Sequence, residues 1–166
     1  KGYAFYTGVM RESILRLKYQ NDIGIARLLS DFLENLVRTS GWDFDVIIPI
    51  PLSRQKLSER GYNQASRLAK PLAAKLGKLY CPNALIRIRE TSSQVGLDIR
   101  SRLDNVENAF RANSKLIKNK TVLLIDDVFT TGATLESAAS ELKLSGAKAV
   151  YAMTLAKSSR IIKDFE

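Results

Sequence analysis

The 166 residues, 45% apolar and 26% charged, suffice for one domain with its own core, and no apolar run reaches the roughly 20 residues of a membrane-spanning helix. One cysteine, Cys81, and no histidine exclude an internal disulfide, a conventional zinc site and every Ser-His-Asp or Cys-His machine, so any chemistry must rest on carboxylates, cations, hydroxyls or backbone amides. Lysine and arginine outnumber the acids 26 to 17, for a formal charge of +9, which suits a phosphorylated ligand or a polyanion as well as a plain basic surface.

In chain order, "GYAFYTG" reads as a short strand and "VMRESILRLKYQ" as an amphipathic helix with Val9, Ile14, Leu15 and Leu17 toward the core. A second helix follows, capped by Asn21 or Asp22, with Ile25, Leu28, Leu29, Phe32, Leu33 and Leu36 at helical spacing and Gly41 as its stop. "FDVIIPIPLS" is a strand that Pro49 and Pro51 push out of the sheet into a loop. "YNQASRLAKPLAAKLG" puts Ala65, Leu68, Ala69, Leu72, Ala73 and Leu76 on one helical stripe, kinked at Pro71 and stopped by Gly77.

"ALIRIR" suits another strand, and the polar stretch after it, through residue 104, fits neither period and reads as a loop. "KTVLLID" has the character of a buried central strand, "ATLESAASELKLSG" of a helix ended by Gly146, and "AKAVYAMTLA" of a long final strand. This alternation predicts an α/β fold: an open, mostly parallel twisted sheet with helices on both faces, ligands beyond the carboxyl ends of the strands, and residues 1–166 in a single domain. The lone cysteine and the absence of a signal peptide fit a reducing cytoplasm, and the start at Lys1 fits a trimmed piece of a longer protein.

The densest chemistry lies in "VLLIDDVFTTGATL", residues 122–135, where Asp126 and Asp127 fall at the expected end of the strand and Thr130 to Thr134 at the start of the next helix. A helix N-terminus presents unpaired amides and partial positive charge, threonine hydroxyls add donors, and Gly132 lets backbone approach a phosphate closely. The carboxylates would repel that phosphate, so they should face a donor edge of the same ligand, for which vicinal sugar hydroxyls are the natural choice. The plainer alternative is that Asp127 with Thr131 or Thr134 only caps the helix. No G-x-x-x-x-G-K-[ST] loop accompanies the acids and no G-x-G-x-x-G is present, which argues against a Walker nucleotide site and a dinucleotide site.

The apolar run, paired acids and T-T-G-x-T resemble the phosphoribosyl diphosphate (PRPP) signature of type I phosphoribosyltransferases. "LKY" at 17–19, "IPIPLS" at 48–53, "ERGYNQA" at 59–65, "RETSSQ" at 89–94 and "RLDNVENAF" at 102–110 resemble the competence protein F (ComF, GntX-like) branch. The resemblance implies that Asp126 and Asp127 bind the ribose hydroxyls and that Thr130, Thr131, Gly132, Ala133 and Thr134 cradle the 5-phosphate. It implies that Pro51, Leu52, Ser53 and Arg54 form the pyrophosphate loop, and that Arg60, Asn63 and Gln64 edge the cleft, although Asn63 serves equally as a helix cap. Arg89, Thr91, Gln94 and Arg102 would work in a loop that closes over PRPP.

The implied reaction is displacement of pyrophosphate from the anomeric carbon, with Mg²⁺ accompanying PRPP. The alternative is a non-catalytic PRPP-binding or single-stranded-DNA-associated competence factor. Single-stranded DNA, competence proteins and a homodimer are the further partners considered, with no membrane. The run Arg111, Lys115, Lys118, Lys120 reads either as a DNA contact or as a solvated linker. The four-cysteine zinc module of many ComF relatives has no counterpart in these residues, and no pocket for a particular acceptor is recognisable.

Overall fold

The computed structural model describes residues 1–20, 22–89 and 109–158. In chain order its elements are β1 (Gly2–Phe5), α1 (Gly8–Tyr19), α2 (Ile23–Arg38), β2 (Val46–Pro49), α3 (Arg54–Arg60), α4 (Gln64–Leu76), β3 (Leu79–Tyr80), a 3-10 turn (Pro82–Ala84), β4 (Leu85–Arg87), β5 (Phe110–Ala112), α5 (Ser114–Ile117), β6 (Thr121–Phe129), α6 (Ala133–Leu144) and β7 (Ala149–Lys157). The main sheet has the order β1-β7-β6-β2-β3, with every neighbouring pair parallel. Such a sheet needs crossover connections and cover on both faces, and both are present.

Alternate residues of β6 reach the two cores, as the period of a strand requires. Leu123 and Ile125 join Ile14, Leu17, Leu29, Leu33, Leu68 and Leu72 from α1, α2 and α4. Val122 and Leu124 join Leu135, Ala138 and Leu142 of α6, with Leu85, Phe110 and Ile117, on the opposite face. The expected fold class is therefore the observed one. Helix starts follow local chemistry: Asp22 caps α2 by accepting from Ile25 N–H at 2.9 Å, and Asn63 caps α4 by accepting from Ala65 N–H at 2.9 Å. The α4 stripe is buried as its spacing predicts, from Ala65 to Ala73, and the helix runs through Pro71 to Gly77.

Several expectations are corrected. Val9 and Leu28, both placed toward the core, are 80% and 56% exposed. Val9 lies in the first turn of α1, whose fully buried residues are Ile14 and Leu17, packed with residues of α2 and α4. Leu28 sits at the margin of a stripe otherwise served by Leu29 and Leu33. The "ALIRIR" strand does not enter the main sheet: β4 pairs antiparallel with β5, Leu85 opposite Ala112, in a separate two-stranded ribbon. The segment after Pro51, read as loop, contains α3, whose seven residues are too few to show a period.

β6 also outruns its expected end. It stays paired with β7 as far as Phe129 opposite Lys157, so Asp126 and Asp127 lie inside the strand rather than beyond it.

Candidate functional site

At the carboxyl edge of the sheet, β6 holds its two acids at successive positions, their carboxyls close enough to interact. Asp127 follows Leu123 and Ile125 toward α1 and α4 and is buried, 4% exposed. Asp126, before it, is half-buried and accepts the Asp127 backbone N–H at 2.8 Å. The acids are thus adjacent in charge but different in surroundings.

Asp127 is enclosed by partners from distant segments. The Lys18 ammonium lies 2.7 Å from its Oδ2, close enough for a strong ion pair although the angle falls outside hydrogen-bond geometry. Gln64, itself 5% exposed, donates from Nε2 to Asp127 Oδ1 at 3.5 Å and accepts from Arg60 on its carbonyl oxygen. That amide is oriented by its two charged neighbours, oxygen to the cation and nitrogen to the anion.

These surroundings separate the two carboxyls. Burial and the adjacent Asp127 charge push Asp126 well above the usual carboxylate range. Burial pushes Asp127 in the same direction, but the Lys18 charge, with the contacts to Asp126 and Gln64, outweighs it and holds the carboxyl below that range. Burial works to lower Lys18, and Asp127 overcomes it, so the ammonium is held above its ordinary value. At neutral pH, Asp127 and Lys18 are charged, while Asp126 is the carboxyl that takes up a proton more readily than usual.

Beyond β6 the chain turns through Thr130 and Thr131, both exposed, into Gly132, which adopts φ 86° immediately before α6. A left-handed residue at a helix N-terminus aims successive backbone amides outward. The Ala133 N–H donates to Thr131 Oγ1 at 3.4 Å, a weak local contact that leaves most of this turn's donor capacity unspent on capping. Glycine has a second reason to be here: a Cβ would sit 2.8 Å from the Phe129 ring. Phe129, Thr131, Gly132 and Leu135 line one wall of an open cleft of about 370 Å³ whose rim carries Lys1 and Lys157.

The other sequence-predicted residues are distributed as follows. Pro51 and Leu52 leave β2 at the same edge, Ser53 is buried and spends its hydroxyl accepting from Lys56 N–H at 3.3 Å, and Arg54 opens α3 with its side chain exposed. Asn63 is occupied at both ends, donating to Ile50 C=O at 2.9 Å while capping α4, which favours the cap over a ligand contact. Arg60 lies beside Asp127, one amide removed. Arg89 is exposed just past β4, near the start of residues 90–108; Thr91, Gln94 and Arg102 fall outside the described residues.

The residue that sequence reasoning missed is Lys18. Its motif, "LKY", stood out, but nothing local indicates what its ammonium meets. Tyr62 was missed for the same reason: its hydroxyl donates to Leu17 C=O at 2.7 Å, satisfying a carbonyl in the last turn of α1.

Comparison with known proteins gives this geometry a context. The family description "Phosphoribosyl transferase domain" matches residues 18–164. The chain is 33% identical over 152 residues to Competence protein F of Haemophilus influenzae, covering 87% of this chain and 66% of that protein. It is 33% identical over 160 residues to the DNA utilization protein YhgH of Escherichia coli, covering 93% and 70%. The chain thus spans about two thirds of the length of these two relatives.

In fold, it is similar to the adenine phosphoribosyltransferase of Saccharomyces cerevisiae, with a TM-score of 0.55 at 15% identity over 84% of this chain and 72% of that one. The chain belongs to the phosphoribosyl transferase domain family, among the relatives of Competence protein F.

Proposed function

We propose that residues 1–166 act as one phosphoribosyltransferase-like domain that binds PRPP at the carboxyl edge of β2 and β6. It transfers the phosphoribosyl group to a nucleophile with release of pyrophosphate, in a cytoplasmic role linked to DNA uptake. The observation that carries this reading is the succession at the end of β6 of a half-buried carboxylate, exposed threonines and a left-handed glycine opening a 12-residue helix. One end of that succession suits sugar hydroxyls and the other a phosphate.

In the reaction, a lone pair of the nucleophile forms a bond to the anomeric carbon while the carbon–oxygen bond to pyrophosphate breaks, its electron pair leaving with the pyrophosphate. Positive charge grows on the sugar, where Asp126 and Asp127 stabilise it, and negative charge grows on the leaving group. Arg54, at the exit of β2, is placed to pair with phosphate oxygens, for which a guanidinium is geometrically suited. The amides around Gly132 and the hydroxyls of Thr130, Thr131 and Thr134 hold the 5-phosphate in place, and the reacting carbon with it.

Among the described residues no group of three or more His, Cys, Asp or Glu side chains is assembled to hold a metal. That fits Mg²⁺ carried in on PRPP oxygens, since this ion takes few protein ligands and keeps phosphate and water oxygens. Bound there, it would supply charge neutralisation on the pyrophosphate.

Calorimetric titration with PRPP, with and without Mg²⁺, tests the reading, followed by assay of pyrophosphate release with candidate nucleophiles. Absence of binding overturns it; binding without release above hydrolysis favours a non-catalytic PRPP-binding protein. Asp126→Asn should weaken PRPP roughly 10- to 100-fold through loss of one charge-assisted bond. The same variant should raise the melting temperature at neutral pH by about 2–4 °C. A carboxyl whose folded pKa is raised above its unfolded value opposes folding above that window and is relieved as pH falls through it, so removing its charge stabilises the ligand-free protein.

A second reading has one observation in its favour. Arg111, Lys115 and Lys118 are exposed, and Lys118 and Lys120 meet the Gly146 to Lys148 turn, where Lys143 bonds to Lys148 C=O at 2.9 Å. The result is a lysine cluster at the amino end of β6 and β7, remote from the acids. If it contacts single-stranded DNA, affinity should fall about tenfold or more between 50 and 200 mM salt. A fluorescence-anisotropy titration showing no affinity at low salt removes this option.

A further inference from the structure

The last three residues of α1 each meet a separate partner around Asp127. Leu17 C=O accepts the Tyr62 hydroxyl at 2.7 Å, Lys18 Nζ is 2.7 Å from Asp127 Oδ2, and the Tyr19 ring lies 5.4 Å from the Arg60 guanidinium. Arg60 in turn donates to Gln64, and Gln64 to Asp127. The contacts close a ring: Asp127, Lys18, Tyr19, Arg60, Gln64 and back to Asp127, with Tyr62 fastening the helix end. Both sides of the ring are short sequence blocks, 17–19 and 60–64, interlocked one residue against the next.

A closed ring restrains the carboxylate more tightly than a single pair, because Asp127, Gln64 and Arg60 each hold two of its contacts and none of the three can rotate without breaking both. Stability is a weak reason for the pair to exist, since an apolar substitute for an ion pair this enclosed is often as stable. Its location next to Asp126 supplies a better one.

We propose that Lys18 is a positioning residue for ribose recognition: its ammonium pins Asp127 in one orientation, ionised, beside Asp126, so that the acid pair meets the sugar hydroxyls with a fixed shape and charge. This rests on the reading of the corner as a ribose site. The groups that face the pair are Lys18 from α1, Tyr6 from the turn before it, Gln64 from α4 backed by Arg60 of α3, and the two acids themselves. Lys18 is the one cation among these in direct contact with a carboxylate. Without it, two neighbouring carboxyls of low exposure must share a proton at higher pH, because like charges this close do not both ionise readily. An acid pair holding a proton has one acceptor oxygen fewer and no fixed orientation for the ribose edge.

The consequence differs from that of a merely structural lysine. A structural role predicts lower stability with an unchanged pH profile for ligand binding; a positioning role predicts that the acid limb of that profile moves. The test is calorimetric titration of PRPP with Mg²⁺ into wild type, Lys18→Met and Lys18→Arg between about pH 3 and 8.5, a range that reaches below the ordinary carboxylate values. Melting curves establish that each variant is folded at the working temperature. Lys18→Gln, which keeps a donor of similar reach, replaces Lys18→Met should the latter not fold.

The expected result is a roughly 10- to 100-fold weakening at neutral pH in Lys18→Met, with the acid limb displaced upward by about one pH unit or more. Lys18→Arg should return the limb to its wild-type place, because it restores the charge, while recovering only part of the affinity. Equal affinity and an unmoved limb in Lys18→Met, or a limb that Lys18→Arg leaves displaced, overturns the proposal.

A carboxyl-carbon NMR titration of the ligand-free proteins separates this failure from failure of the ribose reading. Asp127 should titrate below the ordinary carboxylate range in wild type and upward of that in Lys18→Met; identical titration overturns the hold of Lys18 on Asp127 without any appeal to PRPP. If wild type itself takes up no PRPP, the ribose reading falls and the purpose assigned to Lys18 falls with it, whatever the carboxyl titration shows.

Discussion

Asp127→Ala should lower unfolding stability by about 2–3 kcal/mol at neutral pH and reduce PRPP affinity below calorimetric detection. The ammonium of Lys18 is then left facing a space with no counterion, and Gln64 loses the acceptor that orients its amide. Removing one partner of a fully buried pair costs about 3–5 kcal/mol; the Lys18 side chain keeps 21% of its exposure and can bend its tip toward water, so the lower figure applies.

The pH dependence has a definite sign. Asp127, with its folded pKa depressed, contributes stability that is fully present above its unfolded value and disappears as pH falls through the folded one. Lys18, with its folded pKa raised, contributes stability that is present below its unfolded value and disappears as pH rises through the folded one. Urea unfolding should therefore show the largest gap between wild type and Asp127→Ala on a plateau between those limits, closing in strong acid and again in strong base. A gap that widens on acidification contradicts the ion pair.

Gly132→Val should cost about 2–4 kcal/mol and weaken PRPP about 100-fold, for reasons independent of charge. At φ 86° a β-branched residue suffers the left-handed backbone penalty, and its Cβ would lie 2.8 and 2.9 Å from two atoms of the Phe129 ring. Phe129 is the last paired residue of β6, opposite Lys157, so its backbone is held while its ring borders the cleft, and the strain is shared between the ring and the Gly132 turn. Gly132→Ala combined with Phe129→Leu separates the two causes. Relief of the contact should restore part of the stability while the backbone penalty of about 1–2 kcal/mol persists. Urea unfolding and PRPP titration of the same samples show whether stability and affinity fall together.

The two predictions rest on features of different legibility. The turn at Gly132 was readable because everything it needs is within a few residues: an apolar run long enough for a central strand, threonines, a glycine, and then a helical period. The helix caps at Asp22 and Asn63 and the stripe from Ala65 to Ala73 belong to the same class, since caps act over two or three residues and a helical face repeats every three or four. The alternation of strand and helix sufficed for a parallel sheet covered on both faces because parallel neighbours require crossovers. The short elements α3 and β5 escaped because three to seven residues carry no measurable period.

β6 stays paired with β7 past the two acids as far as Phe129, so both are held within the strand, Asp127 buried and Asp126 half-buried. By itself the sequence determined the fold class, narrowed the α2 cap to Asn21 or Asp22, offered Asn63 as a cap for α4 and marked the glycine turn before α6, all through patterns along consecutive residues. The tertiary structure alone decided that Tyr62 reaches back 45 residues to Leu17 and Gln64 forward 63 to Asp127, and that Lys18 ends at a carboxylate. The physical reason is that electrostatic partners are chosen by proximity in space after the sheet and helices have packed, and no propensity or spacing within a segment encodes a distance to a residue on another strand.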